Sequence, residues 1–193
     1  SLISVWERYS NHFYSFCVNT KSANLSVRRH LMFFSNRFYK PYFDSNLAPM
    51  KNTPTKEQVL ETMNGLSKDT LMETLNIKYV DADPLTGKLV ATMPVDSRVY
   101  QPMGILHGGA TVALAESVGS AASQMLIDPE KEMAVGAEIS ANHLKSARTG
   151  ILTATAECVH HGKSSHLYHI RVENERGDLI SMVKLLNFVK QRK

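Results

Sequence analysis

Between Gly108 and Ile127 the chain reads GGATVALAESVGSAASQMLI, twenty residues with a single charge, Glu116, and with His107 directly ahead of them. The rest is small, apolar or hydroxylated, which suits a helix enclosed by protein on most sides. A carboxylate buried there without a partner is strongly disfavoured or takes up a proton, and no Lys or Arg lies between Arg98 and Lys131. Folding gives no reason for the charge. Glu116 is therefore expected to be a buried acid that does chemistry, and the preceding QPMGILHGG supplies its surroundings.

The flanking sequence says what encloses the helix. Thr55-Lys56-Glu57-Gln58 is a capping box opening a short helix through Met63, stopped by Asn64-Gly65. Ser67 is expected to cap a second short helix over Leu71, Met72 and Leu75. Strands are expected over residues 77–81 and 88–95, joined by the turn Asp83-Pro84-Leu85-Thr86-Gly87. The long helix spans about residues 107–127 and is ended by Asp128-Pro129. Four strand-like runs follow at 133–145, 151–160, 166–173 and 179–190, separated by turn signals such as Ala147-Arg148-Thr149-Gly150 and Asn174-Glu175-Arg176-Gly177. In ILTATAE, from Ile151, apolar side chains recur at every second residue, as in a strand with one buried face. The order predicts an α+β fold: one antiparallel sheet of about six strands wrapped around one long central helix, apolar nearly all round.

Composition sets limits on function. With 193 residues, 43% apolar and 21% charged, the chain has room for one sizeable core. Cys17 and Cys158 do not suggest a disulfide framework, and the central apolar stretch is too interrupted to span a membrane. The charge of +4 is unevenly placed. Residues 1–49 hold six Lys/Arg against two acids and eleven of the fifteen aromatics, while residues 50–193 are balanced. The basic balance thus belongs to the leader and is not read as nucleic-acid binding. Three readings of the leader 1–49 stand: an organelle transit peptide, an accessory segment docking its aromatics, or translation upstream of a true start at Met50. The last is preferred, because no periodic pattern organises these residues. The domain is then expected to be 50–193, in the cytoplasm, or in an organelle matrix if the leader is a transit peptide.

Three stretches, QPMGILHGGATVALAESVGS, VGAEISANHLKSARTG and HHGKSSHLYHIRVENERGDLI, together resemble the hotdog-fold acyl-CoA thioesterases. The similarity covers about residues 60–190, and its nearest branch acts on aryl- and hydroxyaryl-CoA or aryl-carrier-protein thioesters. The resemblance implies an acyl-CoA or acyl carrier protein substrate, no cofactor, a homodimer or homotetramer with its site between subunits, and a position for His143 beside the thioester and nucleotide.

The residues support a mechanism of their own. Thioester hydrolysis needs a carbonyl polariser and either a nucleophile or a base that activates water. Gly108 and Gly109 stand at a helix N-terminus, where N–H groups lack intrahelical partners, the dipole favours negative charge, and glycine admits a close carbonyl. The Gly108 N–H is the expected oxyanion donor, with Gln101 as a neutral donor and His107 shaping or polarising the same region. Glu116 would attack or activate water, and Ser120, four residues on, would hold the water or the carboxylate. Glu116 lies eight residues past Gly108, about 12 Å along the axis, so two helices paired antiparallel would bring Gly108 of one chain to Glu116 of the other.

Other roles compete at each position. Gly108-Gly109 could serve close packing, His107 a cap, Ser120 packing, and Gln101 a turn before Pro102. Gly162-Lys163-Ser164 could bind a CoA phosphate or form a plain hairpin turn. His160, His161, His166 and His169 alternate faces without Cys or carboxylate at ligand spacing, so no metal is expected. A non-catalytic acyl-CoA-binding module is the alternative function, and the Glu116–Gln101–HGG set argues against it.

Overall fold

The computed structural model describes residues 42–43 and 53–192, which belong to a compact unit, Pro41–Lys193. The expected leader, 1–49, lies outside the described residues except for Tyr42–Phe43. The elements are β1 (Tyr42–Phe43), α1 (Lys56–Gly65), α2 (Leu71–Thr74), β2 (Lys78–Asp83) and β3 (Lys88–Pro94), then a 3₁₀ turn at Ser97–Val99. They continue with β4 (Tyr100–Gln101), β5 (Ile105–Leu106), α3 (Gly108–Gln124), β6 (Glu132–His143), β7 (Ile151–His161), β8 (Ser165–Asn174) and β9 (Leu179–Gln191). Six strands form an antiparallel sheet in the order β2-β3-β7-β8-β9-β6. β3 covers β7 only as far as Ala156, and β1 lies parallel to β7 beyond it, at His160 and His161.

α3 packs against this sheet. Its buried residues, Thr111, Leu114, Ala115, Val118, Gly119, Ala122 and Ser123, recur at helical spacing and define one face. Opposite them stand inward rows that include Met93, Ala154, Ile170, Val172 and Leu185, none more than 1% exposed. Burying each large apolar side chain contributes roughly 1.5–3 kcal/mol. A Cβ at position 119 would lie 2.7 Å from Leu185 and 3.1 Å from Ile170, so Gly119 lets the helix settle directly on β8 and β9.

Three local expectations change. Thr70, not Ser67, caps α2, because its hydroxyl accepts the Met72 N–H at 3.2 Å while the Ser67 hydroxyl donates to the Met63 carbonyl. α3 stops at Gln124, before Asp128-Pro129, and the turn that follows buries Met125 and Ile127. In the single chain the helix is not enclosed on most sides: residues 112, 113, 116, 117, 120 and 121 are half-buried or exposed.

The two sheet edges differ. On β2, the Asn64 side chain pairs with both the N–H and the carbonyl of Tyr79, each at 3.0 Å, and a register shift follows between Tyr79 and Asp81. That edge is blocked to a further strand. On β6, among the described residues, no strand pairs along the outer side of its twelve residues; near its start the Gln124 side chain accepts the Ala134 N–H at 3.0 Å.

One buried group makes stability depend on pH. His166 is 1% exposed, with Nδ1 2.6 Å from the Ser123 hydroxyl and its ring edge-on to His161. Burial, then the neighbouring His161 and His160, hold its pKa down to about 4. The unfolded chain takes up this proton near pH 6.5, so stability is full above that pH and is lost as pH falls towards 4, by about 3 kcal/mol. Urea midpoints measured across this window should fall in the native protein and fall less in His166→Gln. Equal slopes would assign the loss to other groups.

Candidate active site

The N-terminus of α3 is built by the turn before it. Gln101-Pro102-Met103-Gly104 folds β4 back onto β5, with Gly104 at φ +70° and its N–H on the Gln101 carbonyl at 2.9 Å. The Gln101 side-chain oxygen accepts the Met103 N–H at 2.9 Å. That leaves the amide NH₂ as the donor of this side chain. β5 leads into His107, whose extended backbone and side chain cap the helix: Nδ1 accepts the Gly109 N–H at 2.8 Å. A neutral His107 must then carry its proton on Nε2.

Capping uses Gly109 but not Gly108. Among the described residues the half-buried Gly108 N–H makes no hydrogen bond. The α-carbon of Gly108 packs against the ring of His143: a Cβ at 108 would lie 2.7 Å from His143 Nε2, so only glycine fits there unless the ring moves. His143 Nδ1 lies 3.2 Å from the Ser181 hydroxyl, whose proton goes to the Asn142 carbonyl at 3.1 Å. Nδ1 is then the donor in that contact, and Nε2 is left as an acceptor beside Gly108. A pocket of about 280 Å³ opens here, lined by Leu106, Gly108, Thr111, His143, Lys145 and Ile180 among others. Lys145 at its rim is paired with Asp178 at 2.7 Å, and that lysine, Asn174 and Arg176 hold the Asp178 carboxyl down to about 2.

Glu116 stands on the same helix but not in this pocket. It is exposed in the single chain, which corrects the expectation of a buried acid. The reason is position: Glu116 falls outside the buried face of α3 and lies over β6, the edge strand. A Cβ at position 136 would be 2.9 Å from Glu116 Oε1, so the missing side chain of Gly136 leaves room for the carboxylate. Ser120, one turn on, donates to Asn187 Oδ1 at 3.4 Å.

Within one chain, then, Gly108 and His143 meet, with His107, Gly109 and Gln101 around the same turn, while Glu116 and Ser120 form a second group further along α3. Gly162-Lys163-Ser164 is the β7–β8 turn, near His166 and Ser123 and so at the far end of α3 from Gly108. Its Gly162 N–H already bonds to the Ser165 carbonyl at 3.0 Å, and Lys163 is the exposed cation of the turn. Among the described residues, no three His, Cys, Asp or Glu side chains are grouped to hold a metal.

The sequence reading missed Gly136, Ser181 and Asn187. Each carries a weak signal: an isolated glycine inside a strand marks close approach or a bulge, and β6 does shift register between Gly136 and Glu138. Ser181 and Asn187 are polar residues at inward positions of an apolar strand.

Comparison with known proteins places this arrangement. The model of the Thioesterase superfamily matches residues 103–181, which include Gly108, Glu116 and His143. The 1,4-dihydroxy-2-naphthoyl-CoA hydrolase of Escherichia coli is 40% identical over 65% of this chain and 90% of its own length. The chain belongs to the hotdog-fold thioesterases. It is a thioester hydrolase. Among solved members of the family, a variant of thioesterase PA1618 from Pseudomonas aeruginosa has a TM-score of 0.68 and 37% identity, covering 75% of this chain and all of that one. A variant of SAV0944 from Staphylococcus aureus has a TM-score of 0.61 and 40% identity, covering 63% of this chain and 99% of that one. Structures of SAV0944 exist with a glutamate and with a glutamine replaced by alanine, fifteen residues apart. Gln101 and Glu116 of this hotdog thioesterase have the same spacing. Among the described residues, no helix is long and apolar enough to cross a membrane.

Proposed function

We propose that this thioesterase hydrolyses aryl- or hydroxyaryl-CoA, or the corresponding acyl carrier protein thioesters, at a site shared by two copies of the chain. The observation that carries the reading is the unpartnered Gly108 N–H at the start of the helix that also holds the exposed Glu116. The Gly108 N–H receives the thioester oxygen as it gains negative charge, helped by the helix dipole and the Gln101 amide. Glu116 either adds to the carbonyl carbon or takes a proton from an adding water, and the C–S bond then breaks with its electrons going to sulfur. His107 Nε2–H and His143 would line the approach to this carbonyl, and Lys163 with Ser164 would meet the CoA phosphates.

Two chains are needed because α3 is one continuous helix, and about 12 Å separates Gly108 from Glu116 along it. The open β6 edge supports a pair in which the sheet continues across copies and the two helices run antiparallel. Dimers of this kind could pair again into a homotetramer. The dihydroxynaphthoyl-CoA relative supports an aromatic acyl group. The buried free thiol of Cys158 agrees with a reducing, cytoplasmic setting.

Incubation with a panel of aryl- and alkyl-CoAs and a thiol reagent tests the substrate class. Release of free CoA should be fastest from the aromatic members. A preference for long alkyl chains would overturn the aryl assignment, and no thiol from any member would overturn the acyl-CoA reading.

A further inference from the structure

The inner face of β9 is apolar at Val183 and Leu185 and then presents an amide, Asn187, with none of its surface exposed. A buried amide is destabilising by about 1–3 kcal/mol unless it is hydrogen-bonded, so its contacts carry information. Asn187 stands in register between Gly136 of β6 and His166 of β8. Above that row, Glu116, Ser120 and Ser123 form one stripe of α3 at spacings of four and three. Asn187 Nδ2 donates to the Gly119 carbonyl at 3.3 Å, and Oδ1 accepts from the Ser120 hydroxyl at 3.4 Å. The Gly119 contact fixes the amide, because a carbonyl can only accept and so must face the nitrogen.

We propose that Asn187 is a positioning residue that acts through Ser120. A hydroxyl has one proton, and Asn187 Oδ1 takes it. Ser120 can then only accept a hydrogen bond on the side facing the substrate. It cannot donate to the Glu116 carboxylate or to the thioester oxygen, which narrows its role to holding water. A water that gives one proton to Glu116 and the other to Ser120 keeps a lone pair directed away from both, towards the carbonyl carbon. In the water step the O–H bond to Glu116 breaks and its proton passes to the carboxylate. The oxygen bonds to the carbonyl carbon, the bond to the leaving group breaks with its electrons, and the Glu116 proton is returned to that group. No oxidant or reductant is involved. The proposal rests on the second of the two roles given to Glu116 under the proposed function, that of the base for water.

A double-mutant cycle tests it, with kcat, KM and thermal melting measured for Asn187→Leu, Ser120→Ala and the pair, beside Glu116→Gln. Asn187→Leu should lower kcat about tenfold, with KM within about twofold. The double variant should be no slower than Ser120→Ala alone, because both changes remove the same held water. If the leucine variant does not melt cooperatively, Asn187→Ala, which removes atoms rather than repacking them, takes its place in the cycle. Losses that multiply, or full kcat in Asn187→Leu or in Ser120→Ala, would overturn the positioning role even if Glu116→Gln is inactive. An active Glu116→Gln would instead overturn the assignment on which it rests.

Discussion

Glu116→Gln should lower kcat at least about a hundredfold and leave thermal unfolding almost unchanged. The amide has nearly the shape of the carboxylate but can neither take a proton from water nor add to a thioester carbon. Because Glu116 is exposed in the single chain, its neutralisation relieves no buried charge there, and the folding stability of the single chain should stay within about 0.5 kcal/mol. Turnover by the glutamine variant within a few-fold of native would remove Glu116 from the mechanism. A large loss accompanied by a lower melting temperature would point to structure rather than chemistry.

The second large effect is expected at Gly108. Gly108→Pro deletes the N–H assigned to the oxyanion, and the helix tolerates it: Pro suits the first helical position, and His107 at φ −76°, ψ 129° already has the extended backbone that precedes proline. Loss of one such donor lowers kcat by about 10²–10³. A side chain at 108 also meets the His143 ring, with Cβ 2.7 Å from Nε2. Gly108→Ala introduces the same Cβ but keeps the N–H, so the gap between the two variants isolates the hydrogen bond. The proline variant should be at least about tenfold slower than the alanine variant. Equal rates would show that the loss is steric and that the oxyanion is held elsewhere.

The fold was legible because its signals are local and repeated. Period-2 runs, the capping box at Thr55 and the long helix with His107 at its start all survive in the structure, since tertiary packing reinforces each of them. The burial of Glu116 was misjudged because composition gives the polarity of a helix but not which of its faces the sheet covers. That is set by the sheet order, in which β6 ends the row beside Glu116. The roles of Gly136, Ser181 and Asn187 depend on register between strands far apart in sequence, as in the pairing of Gly136 with Asn187. No window of sequence contains that information. The β4–β5 hairpin escaped notice because each of its strands is only two residues long. Its turn nonetheless aims Gln101.

The central claim is that Gly108 of one chain and Glu116 of another serve a single thioester. Gly108→Pro and Glu116→Gln proteins, each inactive alone, are mixed in equal amounts, unfolded, refolded together and assayed. Random pairing makes half of the dimers mixed, and each mixed dimer has one site with both groups intact, so about a quarter of native activity should return. Mixtures that stay inactive although mixed dimers form, or an active species that sediments as a monomer, would contradict the shared site.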